Sequence, residues 1–428
     1  MKPRPDILVI LSDQQRADSL GCYGQPMPVS PVFDRLAAEG VRYERAFTVQ
    51  PVCGPARACL QTGLYATRTG NYRNDVPLPA DVPTLPKLLS AVGYRSAYFG
   101  KWHLASRSPG EIYHDRPVPK ERRGGYDDWL AADALEISSH GLGGHVFDGD
   151  GRQVDFSGHR IDFLADRVLA YMDARDPGQP SLVFVSFLEP HQQNDTRRCE
   201  PPPDLSGRFG GGGMPGDLEA LPGNQGGMYG DYLACCAGID RACGRILDRL
   251  RETGRLENTL VVYTSDHGCH FQTRNRHLPG GAGCYKRSCH EASIRIPLIL
   301  RGPGFRGGRT ASAPATLLDL LPTLLRAAGA EDALSAGYRL DGRPLQDLPE
   351  APETHRDVFV QISEVQAARA IRRGPYTYCV RGYGVDGGRE SRSDAYTEDY
   401  LYDRTDDPHE LRNRVADPAL ADLRADLR

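Results

Sequence analysis

No stretch of this 428-residue chain approaches the roughly twenty consecutive apolar residues that a membrane-crossing helix needs. The run that opens it, Ile7-Leu8-Val9-Ile10-Leu11, is also too short for the core of a secretory signal. An excess of charge of either sign is missing too. Lys and Arg number 52 against 56 Asp and Glu, a formal net charge of -4, so neither nucleic acid nor an anionic membrane is expected as a partner. Any anion-binding site must then be a local cluster of cations. No Cys-x-x-Cys pair is present, and the eleven cysteines are an odd number with Cys235 and Cys236 adjacent on a predicted helix. Both facts argue against a disulfide framework and point to the reducing cytoplasm. No internal repeat is visible.

What is present is an alternation of strands and helices. Ile7 to Ser12 reads as a strand buried on both faces, as in a covered parallel sheet. A helix from Pro31 to Ala38 follows, with Ser30 as N-cap and Gly40 just past its end. Further strands are predicted at Arg95 to Phe99, Ser181 to Leu188, Thr259 to Thr264 and Ile296 to Leu300. Helices are predicted from Thr84 to Val92, Asp162 to Asp173, Tyr229 to Glu252 and Leu317 to Ala328. The pattern argues for an open, mostly parallel α/β sheet. Residues 198–227, rich in Pro and Gly and including Gly210 to Gly213, read as a mobile wall over a site or as a surface insertion. We divide the chain into a catalytic domain, 1–345, and a smaller C-terminal subdomain, 346–428, with short antiparallel strands at Val358 to Ile362, Ala370 to Arg372 and Tyr376 to Val380, then a polar tail.

The chemistry concentrates at strand ends and in one short motif. Asp13 and Gln14 follow the first strand, and Asp266 and His267 follow a later one; open α/β sheets place their ligands at such carboxyl ends. The motif is Cys53-Gly54-Pro55-Ala56-Arg57, continued by Ala58-Cys59-Leu60-Gln61-Thr62-Gly63. It resembles the signature of the type I, formylglycine-dependent sulfatases of the alkaline phosphatase superfamily, Cys-x-Pro-x-Arg followed by a short apolar stretch and Thr-Gly. Phe99-Gly100-Lys101-Trp102-His103-Leu104, the Pro190-His191 pair and Lys286 in Tyr285-Lys286-Arg287-Ser288 resemble further segments of that family.

The resemblance implies an alkaline-phosphatase-like mixed sheet sandwiched by helices, with a small C-terminal α+β subdomain. It implies hydrolysis of a sulfate monoester, such as that of a sulfated sugar, to alcohol and sulfate. The nucleophile is then a formylglycine hydrate made at Cys53 by a transiently bound formylglycine-generating enzyme. One hydroxyl attacks sulfur, and loss of the proton from the other expels sulfate. The helix starting near Cys53 turns free N–H groups and its positive end toward the anion, and the Arg57 fork holds the hydrate and the sulfuryl oxygens. Lys101 and Lys286 bind sulfate oxygens, His103 steadies the hydrate, and His191, alone or with Lys286, protonates the leaving oxygen. Asp13, Gln14, Asp266, His267 and residue 53 hold one divalent metal. The family's commonest pairs are Asp-Asp and Asp-Asn, from which Gln14 and His267 depart; calcium suits the oxygen donors, and the imidazole admits manganese, zinc or iron. The Gln and His variants also resemble phosphonate monoester hydrolases and some sulfatases. A phosphonate monoester or phosphodiester hydrolase, using the same hydrate on an equally mono-anionic substrate, is the alternative activity, and a non-catalytic binding module the alternative if Cys53 is never converted.

Two other metal sites are weighed. His267, Cys269, His270, His277, Cys284, Cys289 and His290 lie close in sequence, but their spacing fits no common zinc finger. His270, Arg274, Arg276 and His277 are instead expected at the substrate mouth. Asp148-Gly149-Asp150-Gly151 has no closing glutamate at the twelfth position of a calcium loop and reads as a hairpin turn.

Overall fold

A computed structural model describes residues 4–210, 212–278, 281–348 and 356–428. At its centre five parallel strands lie side by side in the order Thr259–Ser265, Asp6–Asp13, Ser181–Pro190, Arg95–Lys101 and Asp128–Ala132. Antiparallel strands Leu298–Arg301 and Gly143–Asp148 flank them, so the sheet is mixed.

The continuous apolar runs have a direct physical reason. All eight residues of Asp6–Asp13 are buried, and the two-residue period of a strand sends Ile7, Val9 and Leu11 into one core, Leu8 and Ile10 into the other. Helices Cys53–Thr62, Leu85–Ser90 and Leu320–Ala328 cover the first face. Helices Pro31–Glu39, Arg160–Ala174 and Tyr229–Glu252 cover the second. The long helix ends where the periodicity placed it, before Gly254 at φ 68°.

Local detail departs from expectation at a few points. Ser30 sits at the N-cap position but does not cap with its side chain; its Oγ accepts from the Gly21 N–H and donates to Asp34. The Val32 and Phe33 N–H groups go to the Asp240 carboxylate of the long helix, a cap supplied by tertiary packing. Asp148 accepts from the Asp150 and Arg152 N–H groups in a turn joining Gly143–Asp148 to the antiparallel Gln153–Ser157, as the hairpin reading expects. In the Pro- and Gly-rich segment, Leu205 and Phe209 are buried with Leu218 and Met228, so much of it is a packed wall; Gly211 lies outside the described residues.

Near the C-terminus strands Val358–Ile362, Ala368–Arg373, Tyr376–Gly382 and Tyr396–Asp403 form an antiparallel sheet. The last of these fell in the tail read as merely polar, because only its end, Tyr400 to Tyr402, is buried. This sheet shares a core with the main body: Val358, Val360, Ile362 and Cys379 pack with Phe47, Cys289 and Ile294.

Candidate functional site

Four neighbouring parallel strands deliver side chains to one place. Asp13 and Lys101 are the last residues of their strands, and Asp266 and His191 come directly after theirs. Gln14, next after its strand end, and His103, two residues past Lys101, take left-handed conformations at φ 68° and 59°. Backbone held there against its preference concentrates where side-chain aim matters. Gly100, at φ 100°, lets its strand close on Ser186: a Cβ there would lie 2.0 Å from the Ser186 carbonyl oxygen.

Cys53 opens the helix Cys53–Thr62 at the foot of a cavity of about 270 Å³. One ligand atom from each of Asp13, Cys53, Asp266 and His267 lies within 4.8 Å of the others, and all four residues are buried. The Cys53 Sγ is 3.3 Å from His267 Nε2, 3.5 Å from Asp13 Oδ1 and 2.9 Å from Lys286 Nζ. Lys286 Nζ also lies 2.9 Å from His191 Nε2. Lys101 Nζ donates to Asp13 Oδ2 at 2.8 Å and to Glu136 Oε1 at 2.9 Å.

The donor set fits a divalent cation. His267 Nδ1 is 2.9 Å from the Gly268 carbonyl, which can only accept, so this nitrogen carries the hydrogen and Nε2 is left for a metal. The Gln14 side chain gives its N–H to Gln192, and its buried Oε1 has no partner among the described residues. Burial pushes both carboxyls up. At Asp13 this and the push of Cys53 are outweighed by Lys101, His191 and Lys286, which hold the carboxyl below its usual range. Asp266 stays raised by burial and by facing Asp13. Two buried carboxylates repelling each other beside an orphaned amide oxygen are what a cation between them would relieve. Cys53 also has its thiol pKa held down: burial opposes, and Lys101, Lys286 and His267 prevail.

Two expectations about the anion donors change. The Arg57 fork is spent on Asp13 (Nη2, 3.1 Å), Asp266 (Nε, 3.2 Å), the Lys101 carbonyl and Ser186 Oγ, with the side chain 2% exposed. It braces the carboxylates from behind instead of facing the cavity. At the helix start the Gly54 N–H is taken by Asn74 Oδ1 at 2.9 Å and Pro55 has none, so the first turn offers few free donors. The expected mouth residues lie elsewhere. His270 is fully buried, Arg274 donates to the carbonyls of His409 and Glu410, Arg276 to that of Pro222, and none of these nor His277 lines the Cys53 cavity. Among the described residues that segment gathers no zinc ligands either: His267 alone joins a candidate metal group. Pro279 and Gly280 lie outside the described residues.

The cavity wall includes residues that no motif announced, Asn74, Asp75, His114, Glu136 and Gln192, together with Arg287 beside the expected Lys286. His114 Nε2 pairs with Asp75 at 2.7 Å, and Glu364, in the loop after strand Val358–Ile362, accepts from the Asn74 N–H while pairing with Arg287. Apart from Glu136, which sits in a four-residue helix, they come from irregular segments with no periodicity and no spacing rule.

Over residues 5–330 the chain matches the family model described as Sulfatase. It is 30% identical over 449 residues to the ulvan-active sulfatase of Formosa agariphila, covering 99% of this chain and 80% of that protein. To the N-acetylglucosamine-6-O-sulfatase of Bacteroides thetaiotaomicron it is 26% identical over 409 residues, 77% of this chain and 68% of the other. The crystal structure of the phosphonate monoester hydrolase of Agrobacterium radiobacter superposes with a TM-score of 0.72 at 22% identity, covering 99% of this chain and 94% of that one, a likeness of fold.

Proposed function

We propose, since the chain belongs to the sulfatase family and is a sulfuric ester hydrolase of alkaline-phosphatase-like fold, that its substrate is a sulfated carbohydrate and its nucleophile a formylglycine made from Cys53. The observation that carries this is the cavity itself: Cys53 lies under a wall of polar and ionic groups that suits a hydroxyl-rich ester better than an apolar one. The two sulfatase relatives, named for ulvan and for N-acetylglucosamine 6-sulfate, support the same class.

A hydrated formylglycine at position 53 supplies two hydroxyls on one carbon, one to attack sulfur and one whose proton loss expels sulfate. The Cys53 Sγ stands where an oxygen of that hydrate would be. Asp13, Gln14, Asp266 and His267 would hold one divalent metal, with calcium favoured by the oxygen donors; such a cation lowers the pKa of a hydroxyl beside it and polarises an ester oxygen. Arg57 locks the two carboxylates in position. Lys286, against both Cys53 and His191, holds a sulfuryl oxygen and exchanges a proton with His191 Nε2. His191 Nδ1 keeps its hydrogen on the Gln192 carbonyl at 2.6 Å, which leaves Nε2 as the atom that serves the leaving oxygen. Lys101, buried behind the cavity wall, gives two of its N–H groups to Asp13 and Glu136 and keeps the third for a sulfuryl oxygen, and His103 steadies residue 53 from the cavity side.

All eleven cysteines are free thiols, which supports a reducing compartment such as the cytoplasm, where a formylglycine-generating enzyme would be the transient partner. No helix among the described residues is long and apolar enough to cross a membrane.

The test is a screen of sulfated monosaccharides and oligosaccharides, beside nitrophenyl sulfate, phosphate and phenylphosphonate esters, with enzyme whose Cys53 conversion has been checked by mass spectrometry. A sulfated sugar should give the highest kcat/KM. Preference for a phosphonate monoester or a phosphodiester by a wide margin replaces the substrate assignment, and full activity with unconverted Cys53 overturns the nucleophile.

A further inference from the structure

Glu136 sits in the short helix Leu135–Ser138, just past the strand Asp128–Ala132, with its side chain 6% exposed. Oε1 accepts from Lys101 Nζ at 2.9 Å, while Oε2 is buried with no partner among the described residues. The residue lines the same cavity as Cys53, His103, His191 and Lys286. Burial pushes its carboxyl up, but Lys101, His103 and His191 outweigh burial and the repulsion of Asp13 and bring it to about 2, so it is a carboxylate at any working pH.

A buried carboxylate with one oxygen unsatisfied is costly, and holding Lys101 does not require it. Asp13 already pairs with that lysine at 2.8 Å. A second anion there does something else. It cancels a positive charge inside a site built to receive an anion. Three fixed cations, Arg57, Lys101 and Lys286, face three carboxylates, Asp13, Asp266 and Glu136, while the other charged wall residues are paired among themselves, Arg287 with Glu364 and His114 with Asp75. A divalent metal then leaves a surplus of two, which one ionised nucleophile oxygen and a singly charged ester neutralise. A phosphate monoester, doubly charged above about pH 6, would leave a negative charge uncompensated.

We propose that Glu136 is a specificity-determining residue that sets the charge of the site, admitting singly charged esters and disfavouring doubly charged oxyanions. It rests on the ester-hydrolase site proposed above. The same charge disfavours the doubly charged sulfate product, so Glu136 also speeds product release. A unit charge one side chain away in a partly wet site changes the binding of another by about tenfold to a hundredfold.

The test uses metal-loaded, converted enzyme as wild type, Glu136→Gln and Glu136→Asp. Binding of inorganic phosphate is measured by calorimetry from about pH 5 to pH 8, across the step from its mono- to its dianion, together with inorganic sulfate as a constant dianion. Glu136→Gln should tighten dianions by about the square of the factor for a monoanion, at least about a hundredfold for both dianions against about tenfold for the phosphate monoanion. Its kcat/KM ratio for nitrophenyl phosphate over nitrophenyl sulfate should rise by about tenfold, the quotient of those two factors, and Glu136→Asp should keep the wild-type pattern. Equal weakening of both ligand classes in Glu136→Gln, or phosphate affinity unchanged at every pH, overturns the proposal and leaves Glu136 as a brace for Lys101. If wild type cleaves no sulfate ester yet the dianion effect appears, the charge role stands and the substrate assignment fails.

Discussion

At the scale of single residues, the site separates groups whose charge matters from groups whose geometry matters. Asp266 shares with Asp13 the negative charge of the candidate metal site, and its removal takes away an anionic donor; Gln14 offers a neutral amide oxygen that water can replace. Asp266→Ala should therefore weaken metal binding by on the order of a hundredfold and abolish turnover, with Gln14→Ala doing clearly less. Competition with a chelator, read by metal content and by melting temperature, checks both without relying on activity. Equal losses in the two variants would remove the distinction between the ligands. His191 gives a second prediction. With Nδ1 tied to a carbonyl, its Nε2 is the proton-exchanging atom, so His191→Ala should slow esters of sugar alcohols by about a hundredfold or more and nitrophenyl sulfate far less. Equal slowing of both leaving-group classes would end its assignment as an acid.

Among the elements, the strand carrying Lys101 depends on its glycine. Gly100 adopts φ 100° and faces the Ser186 carbonyl with no room for a Cβ. Ser186 Oγ is also a partner of the Arg57 guanidinium, so a shift at this contact reaches both sides of the site. Gly100→Ala should cost about 2–4 kcal/mol in urea unfolding and lower turnover more than substrate binding. Wild-type stability in this variant would show that the two strands have slack. Other elements were legible because their patterns are self-contained: the eight buried residues of Asp6–Asp13, the long amphipathic helix Tyr229–Glu252 and the hairpin turn at Asp148. The strand Tyr396–Asp403 was not, because only Tyr400 to Tyr402 are buried and its exposed Thr397 and Glu398 break the apolar signal.

For the whole molecule, the C-terminal subdomain reaches the candidate cavity through Glu364, in the loop between strands Val358–Ile362 and Ala368–Arg373. Its carboxylate takes the Asn74 N–H at 2.7 Å and pairs with Arg287, and both of those residues line the cavity. Glu364→Ala should lower kcat/KM for a carbohydrate ester by about tenfold and nitrophenyl sulfate less, since the loss falls on the wall and not on residue 53. Equal kcat/KM losses for both substrates would place its effect on the chemistry. The Asp75–His114 pair at the rim adds a pH signature to stability. Burial pushes Asp75 up but His114 pulls it below its ordinary value, and the hydrogen bond to Asp75 raises His114 against burial. The first contribution is present above about pH 4 and lost as pH falls; the second is full below about pH 6.5 and lost as pH rises through the raised value. The stability difference between wild type and His114→Gln should therefore be largest between those limits and shrink on either side. A difference flat from pH 3 to 9 would show that the pair is not coupled.

By itself the sequence determined the layered α/β class, the order of the main elements, the motif at Cys53 that carries the proposed nucleophile, and the residue pairs at strand ends that form the candidate metal site. Each of these is local: a two- or 3.6-residue period, a short motif, or a residue pair directly after an apolar run. Only the tertiary structure decided where Arg57 spends its fork, which charges surround Lys101, and which residues wall the cavity. Glu136, Asn74, His114 and Glu364 come from four separate segments, and their meeting depends on how distant strands and loops pack, which leaves no periodic trace along the chain. The helix cap at Val32 and Phe33 shows the same limit in small: Ser30 is the sequence's answer, and Asp240, some two hundred residues away, is the fold's.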